Sequence, residues 1–194
     1  MMNSYNFDKH KTNLKKTSYD SANKEYMTQR EVEVIDFDKV KEEYVEKLKL
    51  SSNPSSCDAL YCDENKHKKT FIEFKNGVVK TFEVRKKIYD SVLIYSDLSK
   101  ASISEIRDGV EYILVYNYDK NKDRKKEYRK SPQNMIAPSK SINILGNSIS
   151  KLGGERILNF AIDDFRGYLL KNLYTYTEEE FEKYFIKTLE LEDK

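Results

Sequence analysis

The chain has little of what commonly announces a function. Its two cysteines, Cys57 and Cys62, are the only ones. On a strand their odd spacing sets them on opposite faces, which excludes a disulfide between them there. No Cys-x-x-Cys or His-x-x-x-His spacing occurs, which argues against a zinc site, and a reducing cytoplasm is the expected compartment. The two histidines, His10 and His67, lie in polar stretches and neither reads as catalytic. The only paired glycines, Gly153 and Gly154, precede Glu155 and Arg156 rather than the Lys-Ser/Thr of a phosphate-binding loop. The Ser51–Ser56 stretch has no histidine nearby and no Gly-x-Ser-x-Gly turn, so serine hydrolase chemistry is not supported. No apolar run approaches the roughly 20 residues of a membrane helix. Met1 to Glu25 lacks the apolar segment of a secretory signal.

What is present suffices for a folded domain. The 194 residues suggest one domain with decoration. Hydrophobic residues make up 38% and charged residues 35%, and nine Phe and fifteen Tyr supply the bulk of a core. The net charge of +2 leaves room for a locally basic surface.

Residues 1–29 show no periodicity and read as a flexible arm, with residues 30–194 as a single domain. Within that domain, 36–118 is the core and 119–194 a C-terminal elaboration. Glu31–Ile35 alternates briefly, as a short strand would. Phe37, Val40, Tyr44 and Leu48 fall on one helical stripe, with Asp36 or Asp38 able to cap the start. Cys57–Cys62 and Lys69–Lys75 read as paired strands, and Val78–Thr81 as a short hairpin continuation after Asn76-Gly77. Val84, Ile88, Val92 and Tyr95 mark a second helix over 82–98, with the small Ser91 inside its stripe. Val110–Tyr118 has the β-branched and aromatic content of a buried strand. Further on, the pattern predicts a helix over 139–152 and strands over 157–161 and 168–176. A capping box at Thr177–Glu180 opens a last helix, whose face is Phe181, Tyr184, Phe185 and Leu189. The expected architecture is α/β, with a mixed central sheet flanked by helices.

The informative anomaly is Glu73-Phe74-Lys75, which closes an apolar run. On a strand Glu73 and Lys75 share a face with Phe71, and a hairpin brings Asp58 to their end. Lone buried charges are costly, so this grouping calls for partners or a metal. A cross-strand ion pair on a half-exposed sheet is one reading. The other is a Mg²⁺ (or Mn²⁺) site on Asp58 and Glu73, with Lys75 acting on water or on developing phosphate charge.

An acid, then Glu-x-Lys on the next strand, in helix–strand–strand–helix–strand order, resembles the PD-(D/E)xK nuclease superfamily. The match runs from about Asp36 to Tyr118, with Asp58 as the first acid, Glu73 as the second and Lys75 as the lysine. Cys57 stands where a proline would precede Asp58. The resemblance implies a restriction-endonuclease-like core and metal-dependent hydrolysis of DNA or RNA, of bacterial or phage type. That family adds an acid from the first helix, for which Glu43, flanking the stripe, is the geometric candidate. It also adds a basic or amide residue from the second helix, for which Arg85 or Lys87 would serve.

Residues 119–130 carry seven basic and three acidic side chains, among them Arg124, Lys125 and Lys126. They read as a solvated loop or as a phosphate-tracking one in which Tyr128 could stack on a base. Nucleic acid is therefore the expected partner. The alternative is a catalytically inactive module of the same fold that binds a protein partner or nucleic acid, for example an accessory or immunity protein of a toxin or defence system.

Overall fold

A computed structural model describes residues 5–63, 68–122 and 160–192. From the N-terminus it contains β1 (Lys11–Asn13), α1 (Leu14–Thr17), β2 (Tyr19–Asp20), β3 (Glu25–Tyr26), β4 (Glu33–Asp36) and α2 (Phe37–Leu48). The core continues with β5 (Ala59–Asp63), β6 (Lys68–Lys75), α3 (Thr81–Ser99), α4 (Ile103–Gly109), β7 (Val110–Tyr116) and α5 (Tyr118–Asn121). Then come β8 (Asn172–Thr177), α6 (Glu178–Phe181), a π-helical turn at Glu182–Ile186 and α7 (Lys187–Glu192).

One mixed sheet of six strands runs in the order β1-β4-β5-β6-β7-β8. Its first four strands are antiparallel, and β7 and β8 join β6 in parallel. A parallel return needs a crossover, which α3 and α4 supply between β6 and β7. Every residue of β7 is buried, as expected for a strand covered on both faces.

The pleat sorts side chains into two cores. Phe71, Tyr112, Leu114 and Tyr116 face α2, α3 and α4 on one side, with Phe37, Val84, Ile88 and Ile106. Ile72, Phe74, Ile113 and Val115 face the other side, with Leu14, Phe181, Phe185 and Ile186. Each such side chain, fully buried, stabilises the fold by about 1.5–3 kcal/mol relative to exposure. Glu73 falls on the α3 side of β6, the side of Phe71, opposite Leu114 of β7 in the register. The expected α/β architecture, a mixed sheet flanked by helices, is the one found.

Several local expectations differ. Residues 7–26 are packed rather than loose: β1 pairs with β4, and Leu14 is fully buried. Thr28 and Arg30 bind Glu182 at 2.8 and 2.7 Å, tying this segment to the C-terminal helix. Its elements are two to four residues long, too short to show a period in sequence. Val78–Thr81 does not extend a hairpin, because the Val79 N–H donates to Asn121 Oδ1 at 2.8 Å and the chain turns into α3. Phe160 and Ala161 adopt left-handed φ of 69° and 51° rather than a strand, and β8 begins only at Asn172. The π turn shifts the last helix's apolar face, burying Ile186 and leaving Tyr184 38% exposed. The predicted helix over 139–152 and the strand residues 157–159 lie outside the described residues. No helix among the described residues is long and apolar enough to cross a membrane.

Candidate functional site

The site is assembled where α2, the segment before β5, β6 and α3 meet. Asp36 caps α2, its Oδ1 accepting from the Lys39 N–H at 3.1 Å, and its Cα pairs with Ala59. The start of α2 therefore abuts Asp58, whose carbonyl accepts from the Phe37 N–H at 3.2 Å. The segment before β5 is zipped to α3 by polar contacts. Asp90 accepts from the Ser55 N–H at 2.7 Å, and the buried Ser91 hydroxyl accepts from the Cys57 N–H at 2.8 Å. Ser91 is thus an anchor as well as a small residue. Across the hairpin, the Phe74 N–H donates to Asp58 Oδ2 at 2.6 Å, which aims the other carboxylate oxygen at α3.

Into that position α3 inserts Lys87. Its Nζ lies 2.8 Å from the Glu73 carboxylate and 3.2 Å from Asp58 Oδ1. Lys75 Nζ is 3.5 Å from Glu73. Glu73 is fully buried, while the Asp58, Lys75 and Lys87 side chains retain 17%, 23% and 21% exposure. The cluster therefore has a buried acid at its base and a mouth toward solvent. Asp58 and Glu73 meet on the Lys87 ammonium, and Lys75 stands beside Glu73. Of the two basic candidates on α3, Lys87 joins the cluster.

Two other candidates, Glu43 and Arg85, stand elsewhere. Glu43 is held by the N-terminal segment: it accepts from Tyr5 Oη at 3.0 Å, contacts His10 Nε2 at 2.9 Å and is ion-paired to Lys9. Those partners, the Lys9 contact first, lower its pKa to about 2. Five residues of helix separate it from Asp38, a rise of about 7.5 Å. Asp38, in the first turn of α2, is the acid that the helix brings near Asp58, and its Oδ1 accepts from Ser56 Oγ at 2.5 Å. Sequence reasoning assigned Asp38 only to capping; its place at the helix start, next to the β4–β5 junction, was the available signal. Arg85 makes a two-pronged ion pair with Asp164 at 2.7 and 2.8 Å and packs over the Phe165 ring. Its guanidinium is thereby engaged with the C-terminal segment rather than with the acids. Arg124, Lys125 and Lys126, with Tyr128, lie outside the described residues.

Electrostatics distinguish the members. Burial pushes the Glu73 carboxyl well above the usual range, and the Asp58 charge adds to this while Lys87 and Lys75 oppose it. Burial also raises Asp58, against the pull of Lys87. For Lys87, burial disfavours the ammonium, but the two carboxylates outweigh it and its pKa is raised. These directions agree on a cluster that keeps its ammonium while resisting a second full negative charge.

The donor set suits a divalent cation in one respect and resists it in another. Among the described residues Glu73 Oε1 and the Tyr112 hydroxyl are buried without a well-aligned hydrogen bond, although Glu73 Oε1 lies 2.8 Å from Lys87 Nζ and 3.5 Å from Lys75 Nζ, so both ammonium groups already engage that oxygen. Asp58 and Glu73 would hold the ion, with waters completing its shell as is usual for Mg²⁺. Among the described residues, however, no three His, Cys, Asp or Glu side chains are grouped to hold a metal. The Lys87 ammonium already stands between the two carboxylates.

Compared with known proteins, the chain matches no family model, no curated protein and no solved structure.

Proposed function

We propose that the chain is a metal-dependent nuclease-like protein of restriction-endonuclease-like core, acting on phosphodiester bonds of DNA or RNA. The observation that carries this reading is the meeting of Asp58 and Glu73 on one ammonium, with Lys75 beside Glu73, between two helices and at the apolar Phe71–Phe74 stretch of β6. Two carboxylates and two lysines in one partly open cluster can bind a hard cation and a phosphate together. A bound Mg²⁺ or Mn²⁺ would supply charge neutralisation on the phosphate and a more acidic water. Asp58 and Glu73 would hold it, Asp58 being fixed by the Phe74 N–H. Lys75, partly exposed at the mouth, would orient the water or face the phosphate. Lys87 would neutralise the carboxylates when the cation is absent and turn to the phosphate when it is present.

The test is incubation with single- and double-stranded DNA and RNA, in Mg²⁺, in Mn²⁺ and in EDTA. Cleavage should require the cation and be lost in Glu73→Ala and Lys75→Ala. Cleavage that survives intact in either variant overturns the assignment.

One observation favours a second reading, a non-catalytic module of the same fold that binds nucleic acid or a protein. The Lys87 ammonium satisfies the carboxylate pair where a cation would stand, and a permanent ion pair there would leave a scaffold without activity. Absence of cleavage and of cation binding together would select it.

A further inference from the structure

The short hairpin of β2 and β3 has no part in the acid cluster, yet it is fastened beside it. Asp20 and Glu25 accept from the Asn76 side-chain amide at 3.0 and 3.2 Å, and Asn76 directly follows Lys75 at the end of β6. Asn76 is itself buried and held from the other side by the Asn117 amide at 3.0 Å. The hairpin is thus pinned to the end of β6, next in sequence to Lys75, by polar contacts on one of its faces.

Its other face carries a pair of tyrosines. Tyr19 and Tyr26 are directly opposite one another in the register, so their rings rise from the same side, and the Asp20–Glu25 pair faces away from them. The ring centroids are 4.8 Å apart, and the residues keep 45% and 44% exposure. One basic group lies over the pair, and two more are close to it in sequence. Lys15 Nζ lies over the Tyr26 ring at 5.4 Å, Lys16 is exposed one residue further along α1, and Lys24 is exposed in the hairpin turn. Lys120 reaches Asn76 Oδ1 at 3.4 Å. The hairpin's two carboxylates are engaged with amide donors on Asn76 and Asn23.

We infer that this hairpin is a stacking platform that receives unpaired bases of a single-stranded nucleic acid, with its phosphates tracked by Lys15, Lys16, Lys24 and Lys120 toward Lys75. This rests on the proposed action on phosphodiesters and narrows its substrate to single strands. Exposed aromatic faces accept any base, because every base has a π-face, whereas bases within a duplex offer their faces only to each other. The lysines supply the charge complementarity that an apolar protein-docking patch would not need.

The test is fluorescence anisotropy with a short labelled oligothymidylate and a duplex of equal length, in EDTA, using the full chain. The single strand should bind more tightly than the duplex. Tyr19→Leu/Tyr26→Leu should weaken its binding by about tenfold or more, and Tyr19→Phe/Tyr26→Phe should stay within about threefold of the original. A leucine pair that binds like the original chain overturns the inference. So does equal weakening by the leucine and phenylalanine pairs, which would mean that the hydroxyls rather than the rings make the contact. The readout is independent of hydrolysis. Loss of binding in the leucine pair without any cleavage by the original chain would keep the platform and refute the nuclease reading. Metal-dependent cleavage and binding that ignore the leucine pair would refute the platform alone.

Discussion

Lys87 Nζ stands 2.8 Å from the buried Glu73 carboxylate, and the same ammonium reaches Asp58 at 3.2 Å. One cation on α3 thus holds together an acid just before β5 and an acid on β6. The arrangement makes Lys87 both a structural counter-charge and the competitor of any metal.

Lys87→Met should destabilise the fold by about 3–5 kcal/mol, because it removes the ammonium shared by Asp58 and the buried Glu73 and leaves only the more distant Lys75 beside Glu73. Part of that loss should return on adding millimolar Mn²⁺, which would take the ammonium's place between the carboxylates. Urea denaturation with and without Mn²⁺ measures both quantities. An unchanged stability, or a loss indifferent to the cation, contradicts the role given to Lys87.

Glu43 makes a separate prediction about acid stability. Its carboxyl is lowered to about 2 by Lys9 first, and by His10 and Tyr5. A depressed folded pKa means that the unfolded chain binds the proton more readily as pH falls. The contribution of Glu43 is therefore fully present above the ordinary carboxyl pKa and is lost between about 4.5 and about 2. With its side chain 34% exposed, screening limits that contribution to about 1 kcal/mol. Glu43→Gln should lower stability at pH 6, and its difference from the original chain should vanish near pH 2. Cation binding should not change, since Glu43 lies with the N-terminal segment. A Glu43→Gln chain that loses cation binding would restore this acid to the site.

Tyr112 carries a buried hydroxyl with no hydrogen-bond partner among the described residues. Tyr112→Phe removes an unsatisfied polar atom while keeping the ring, so stability should be unchanged or higher by about 1 kcal/mol. A loss above about 1 kcal/mol would show that the hydroxyl has a bound partner, such as an internal water shared with Glu73.

The legible parts of this fold were those with a long, clear period. The β6 and β7 runs alternate between two cores, and the α3 stripe of Val84, Ile88, Val92 and Tyr95 is buried as its spacing predicts. The pairing of Asp58 with Glu73 followed from the hairpin alone. The two- and three-residue strands β1 to β3 and the two-turn helix α4 are too short to show a period, which is why they escaped. For α4 a local signal existed: Ser102 and Glu105 form a full capping box, the same signature that marked Thr177 and Glu180. The choice between Glu43 and Asp38 turned on distance along the helix, which stripe angles do not report. The engagement of Arg85 by Asp164 depends on a contact 79 residues apart, beyond the reach of any local pattern.

The central claim is that Asp58 and Glu73 form a cation-holding pair, and calorimetric titration with Mn²⁺ tests it most directly. The original chain should bind Mn²⁺ at millimolar concentration or tighter. Lys87→Met should bind it more tightly, and Asp58→Asn/Glu73→Gln should not bind it. An original chain and a Lys87→Met chain that both take up no cation would contradict the account, and so would binding that persists unchanged without the two carboxylates.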